Sequence, residues 1–157
     1  MDSKSVMDVG QAGTSDERLV IDCSTLPHSA EGWVVRPEDQ IASAFRGQLV
    51  WTPDCIRLHL VDGQQDGWFS GFDLKEALAG QPVLPANVLY WQLADPENRI
   101  PASWSGSYVI YWGTIFYGDE GCLYVLNLYP HEGRWFYHYE CLESDLNQIS
   151  PAAVLAI

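Results

Sequence analysis

Twelve of the chain's twenty aromatic residues lie between Trp104 and Tyr139, eleven of them in three runs that read SYVIYWGTIFY, CLYVLNLY and RWFYHYEC. The breaks between them are the short pieces GDEG and PHEG. Side chains that are β-branched or aromatic fit a pleated, half-buried surface, and four-residue connections containing Gly or Pro suit hairpin loops. This block therefore predicts an antiparallel β-meander in the C-terminal part of the chain. It constrains architecture strongly and reaction chemistry hardly at all.

The three runs differ in pattern. SYVIYWGTIFY is apolar at both alternating sets of positions, as expected of a central strand covered on both sides, which makes Trp112 a structural residue. In RWFYHYEC, Trp135, Tyr137, Tyr139 and Cys141 share one face while Arg134, Phe136, His138 and Glu140 share the other. One aromatic and one mostly polar face suit a strand near the sheet edge.

Upstream, LVIDC reads as a strand and STLPHSAEGW as a loop. RPEDQIASAF, with Pro37 in a first-turn position, two acids beside it and Gly47 beyond its end, predicts a short helix. QLVWTPDCIRLHLV holds two β-like pieces split at Thr52-Pro53-Asp54; Cys55, Arg57 and His59 alternate with Ile56, Leu58 and Leu60 in the second. After the loop DGQQDGWFSG, the segment FDLKEALAG predicts a helix capped by Asp73 and stopped at Gly80. A further helix of about three turns is expected over 85–94, bounded by Pro85 and Pro96, with Leu89 and Leu93 four apart. The tail ends on an apolar run that should tuck against the sheet.

Taken together, the elements predict an α+β fold, a mainly antiparallel sheet with a C-terminal β-meander and two or three short helices. Residues 1–16 are small, polar and aperiodic and read as a disordered leader that adds nothing to stability, leaving 17–157 as a single α+β domain. At 157 residues such a domain buries enough surface to fold without a staple.

Charge narrows the function classes. Twenty-one acidic residues against eight basic ones give a formal charge of −13, and beyond Lys75 the only basic residues are Arg99 and Arg134. Nucleic-acid binding draws on Lys/Arg patches that displace phosphate counterions, so no nucleic-acid partner is expected. An acidic surface suits solubility, or a basic partner. No apolar stretch approaches a membrane span and no secretory signal opens the chain, which predicts a cytoplasmic protein that does not enter the membrane. Widely spaced Cys23, Cys55, Cys122 and Cys141 are then expected as reduced thiols.

Several pieces together carry a resemblance: IDC from Ile21, EGW, GQLVW, the run LKEALAGQPVLPANVL, DPENRIPASW, YWGTIFY, GRW at Gly133 to Trp135, and the closing PAAVL. In order and spacing the chain resembles a family of small uncharacterised bacterial proteins, of the kind found in environmental bacteria and mobile gene cassettes. The resemblance covers nearly the whole folded part and implies fold continuity, including the helix at 85–94, but no activity. In CLESDL the chain departs from the family pattern, with Leu142 and Leu146 where relatives tend to carry tryptophans.

Candidate chemistry is sparse. Cys55 with His59, and His138 with Cys141, are two His/Cys pairs, yet neither has the tight spacing of a structural zinc site, so no metal is expected. GWFSG and SWSGS both miss the nucleophile elbow, and no phosphate-binding glycine loop is present, so no cofactor is expected. Loop and strand-end carboxylates (Asp119, Glu120, Glu132, Glu140, Glu143, Asp145) could serve acid/base chemistry but are commonly just solvated. Asp145, flanked by apolar residues and kept in the family wording, stands out among them.

The aromatic strand is the better candidate. Trp135, Tyr137 and Tyr139 at period two, with Arg134 adjacent, would make a flat ladder suited to docking a ligand, a partner chain or a second copy, although such a face is more often the core side of the strand. The expected binding residues are Arg134, Trp135, Tyr137, Tyr139 and Asp145. They support a non-enzymatic binding or interaction protein, of an accessory or immunity type, that uses an acidic, aromatic surface; a small hydrolase using carboxylates and a structural homo-oligomer are the alternatives.

Overall fold

The computed structural model describes residues 19–156, so the expected leader 1–16 lies outside the described residues. β1 (Val20–Asp22) pairs antiparallel with β2 (Gln48–Val50), and β3 (Ile56–His59) follows. A short β4 (Phe69–Ser70) runs directly into helix α1 (Gly71–Ala77), and α2 (Ala86–Ala94) comes next. The meander is β5 (Val109–Tyr117), β6 (Leu123–His131) and β7 (Arg134–Cys141), followed by β8 (Asp145–Leu146) and β9 (Ala152–Leu155). The fold is α+β, as expected, and no helix among the described residues is long and apolar enough to cross a membrane.

The main sheet has the order β3-β9-β5-β6-β7. β5 is third of five and buried from Val109 to Phe116, which its two apolar faces require. β7 is an edge, joined to β6 by the two-residue turn Glu132-Gly133 between the paired His131 and Arg134. The tail does more than tuck against the sheet. β9 enters it between β3 and β5, antiparallel to the first and parallel to the second.

Each face of the sheet has its own core. On one side α2 brings Val88 and Leu89 onto Val109, Tyr111, Phe116, Leu126 and Leu128. On the other, Leu74 of α1 and Leu78 at its C-terminal cap join Ile110, Trp112, Ile115, Val125, Leu142 and Val154. Both faces of β5 are thereby dried, and Trp112 is 1% exposed. β5 and β6 shift register between Tyr111 and Phe116. Gly113 lies in this irregularity because main chain crosses it: a Cβ there would stand 2.4 Å from the Leu84 carbonyl carbon and the Pro85 nitrogen.

Two local expectations change. The segment after Arg36 forms only a 3-10 turn, Pro37–Asp39, and no α-helix. Its polar groups are committed elsewhere: the Gln40 amide donates to the carbonyls of Arg36 and Ile115 and accepts from Ile115 N–H, and Phe45 N–H donates to Val83 O. Those long-range ties take the place of i→i−4 bonds. At α1 the capping residue is Ser70, whose hydroxyl accepts from Asp73 N–H at 3.1 Å, so Asp73 sits inside the first turn.

Candidate functional site

The geometry of β7 follows from its edge position and from the helix beneath one of its faces. Trp135, Tyr137 and Tyr139 point toward α2 and are half-buried against its core. Tyr137 meets Tyr90 of α2 edge-on at 5.8 Å between ring centres. Tyr139 packs on Phe116 (5.6 Å) and Trp33 (4.6 Å), and its hydroxyl lies 3.1 Å from Ser29 Oγ. The expected ladder is thus one wall of the α2-side core with its outer rim still in solvent. Burial raises the Tyr137 hydroxyl pKa.

The opposite face of β7 is more aromatic than its sequence pattern implies. Phe136 is 37% exposed and pairs across the ladder with Tyr129, 6.0 Å away, which in turn stacks on Tyr108 at 5.7 Å. Arg134 is exposed and lies over the Phe136 ring at 5.6 Å. Beside them, Glu140 accepts from the buried Asn127 amide and from His138 Nε2, both at 3.2 Å. The His138 bond, chiefly, holds the Glu140 carboxyl below its ordinary pKa, against the opposing effect of burial. Among the described residues no serine, threonine or cysteine hydrogen-bonds His138.

Asp145 stands apart from the ladder. It lies on β8, exposed, paired across the short ladder with Ser70 of β4. Side chains alternate along a strand, so when Phe69 and Leu146 turn into the α1-side core, Trp68, Ser70 and Asp145 turn outward. Trp68 is 67% exposed and Phe72, just inside α1, is 45% exposed. The platform beneath them is tied down. Buried Gln64 accepts from Val61 N–H and donates to the carbonyls of Asn147 and Ser150, and Gly71 N–H donates to Ser144 O. Gly71 is pressed so closely on Leu142 that an added Cβ would lie 2.6 Å from its Cα.

Around this platform the segments 61–78 and 142–150 carry exposed Asp62, Asp66, Asp73, Glu76, Glu143 and Asp145, against Lys75 as their one basic residue. Of the residues expected from the sequence to bind, only Asp145 lies here; Trp68 and Phe72 were not among them. The signal was present in GWFSG: a tryptophan between Gly-rich turns, outside any periodic run, has no strand or helix face to carry it inward.

Among the described residues no three His, Cys, Asp or Glu side chains gather as a metal site would need. All four cysteines are free, Cys23 and Cys55 buried, Cys122 and Cys141 half-buried. Burial, chiefly, pushes the Cys23 thiol up to about 12. No family model, curated protein or solved structure matches the chain.

Proposed function

We propose that the protein is a non-enzymatic interaction module that takes a basic, partly apolar segment of a partner protein onto the Trp68–Phe72 platform. The observation that carries this reading is Trp68: a large aromatic held two-thirds in solvent on a hydrogen-bonded base, with Asp145 on the same outward face. Exposed aromatics on rigid supports are the side chains that most often dominate binding energy. The net charge of −13 supports a cationic partner, by steering encounter and by repelling acidic competitors. The half-buried Trp135–Tyr139 ladder then serves mainly as core wall, with Arg134 outside it.

A lysine- and leucine-containing model peptide tests the reading. It should bind the protein with an affinity that falls as salt rises, and Trp68→Ala should weaken binding at least about tenfold with little change in stability. Asp145→Asn should weaken it by a smaller factor and flatten the salt dependence. Equal affinity of wild type and Trp68→Ala for the peptide would refute the site.

A further inference from the structure

A second feature lies away from that platform, where the loop after β1 faces the start of α2 and the irregularity in β5. A cavity of about 310 Å3 opens there, a size at the small end for organic ligands. Much of its lining is apolar and stiff: Leu26, Pro27, Val35, Pro37 and Pro85. Leu26 is 75% exposed although apolar. Gly113, pinned against Leu84 and Pro85, forms part of the wall.

The polar groups in the lining are unequal. Gln40 spends its amide on Arg36 and Ile115, and Asn87 spends its Nδ2 on the carbonyls of Asp22 and Thr25. Two others keep donors in hand. Thr114 is 2% exposed; its hydroxyl accepts from Ala86 N–H at 2.9 Å, and its own proton has no acceptor among the described residues. Arg46 donates Nη1–H to Gly113 O at 2.8 Å, one of the five N–H groups a guanidinium carries.

No carboxylate of the described residues pairs with Arg46. Asp39 takes a two-pronged bond from Arg36 at 2.7 and 3.0 Å, and Asp22 accepts from Ser24 and Gln48. Cys23, whose thiol is neutral, supplies no counter-charge. Arg46 is exposed overall, with its Nη1 on the Gly113 main chain, and partial burial lowers its pKa. Among the described residues no acid is bonded to the Arg46 guanidinium, which leaves N–H groups at the cavity to meet a ligand anion.

We propose that this cavity binds a small monocarboxylate with an apolar body, the carboxylate meeting the Arg46 guanidinium and the Thr114 hydroxyl and the hydrocarbon part lying on the prolines. A guanidinium matches the planar carboxylate fork. One cation balances one negative charge, and the protein's overall field opposes a dianion, so carboxylate is favoured over phosphate. The inference is independent of the Trp68 platform.

Benzoate is the probe, with benzamide as its uncharged isostere and inorganic phosphate as the competing anion, followed by calorimetry and by amide shifts in a two-dimensional NMR spectrum. Benzoate should bind saturably with a dissociation constant of about 1 mM or lower and move the resonances of Asn87, Gly113 and Thr114. Benzamide should bind at least about tenfold more weakly, and Arg46→Gln should lose at least as much. Because Arg46 also holds Gly113, a second variant guards against misfolding: Leu26→Asp puts a negative charge on an exposed side chain at the cavity and should weaken benzoate several-fold. The proposal falls if benzoate does not saturate up to about 10 mM, or if benzamide or phosphate binds as well. It also falls if folded Arg46→Gln, or Leu26→Asp where that variant does not fold, binds benzoate like the wild type.

Discussion

Replacing Gly113 with alanine probes the joint where β5, the 84–85 loop and the sheet irregularity meet. The added methyl would stand 2.4 Å from the Leu84 carbonyl carbon and the Pro85 nitrogen and 2.6 Å from the Leu84 oxygen. Relief requires the two main chains to part by about 1 Å, in an interior packed like an organic crystal. Neither chain is free to move. Gly113 N–H donates to Leu84 O at 2.8 Å, Leu84 N–H donates to Ala153 O at 3.0 Å, and Arg46 bonds Gly113 O. Overpacking of this kind costs about 1–3 kcal/mol. One or two weakened backbone hydrogen bonds add about 1 kcal/mol each, for a total of about 2–5 kcal/mol. The control is Gly106→Ala, in the 3-10 turn Ala102–Gly106, where an added Cβ meets nothing within 4 Å. There the loss of backbone freedom in the unfolded chain should leave stability unchanged or raised by less than about 1 kcal/mol. Urea unfolding followed by tryptophan fluorescence reads both, provided the slope m is unchanged. A Gly113→Ala loss below about 1 kcal/mol, or one equal to that of Gly106→Ala, would show that the approach of Leu84 and Pro85 is not the constraint described.

Two further outcomes follow from burial and charge. Trp112→Ala, which empties a site 1% exposed, should cost about 3–5 kcal/mol, and Trp135→Ala, on the half-buried ladder, should cost clearly less; equal losses in the same assay would contradict the central and edge assignments of β5 and β7. The folded-state pKa of Glu140 lies below its ordinary value of 4.5, so its ionised form stabilises the fold fully above that value, and this stabilisation fades as pH falls through the folded pKa. The stability difference between wild type and Glu140→Gln should therefore shrink on going from pH 6 toward pH 3, and a pH-independent difference would remove the His138 and Asn127 bonds as its cause.

How much of this was legible in the chain differs by element. The order of the meander was readable because β5 carries apolar residues on both of its alternating faces, and a central strand can bury both. Helices at 71–77 and 86–94 were readable from local signals: Gly80 beyond the first, Pro85 and Pro96 around the second. β9 was not. Ala152–Leu155 carries no more strand signal than any apolar tail, and its place between β3 and β5 depends on partners far away in sequence. The same distance in sequence defeated the helix expected after Arg36, whose glutamine and backbone groups turned to β5 and Val83.

The proposed surface divides along the same line. Alternation alone determined that Trp135, Tyr137 and Tyr139 share one face of β7 and that Phe136 and His138 share the other. Which of those faces is covered was decided by where α2 lands, with Tyr90 set against Tyr137. Likewise the acidity and the loop tryptophan are written in the sequence, but only the pairing of β4 with β8 sets Asp145 opposite Ser70, two residues after Trp68. A periodic pattern records which side chains point the same way; what lies opposite them is set by contacts between segments that the pattern does not link.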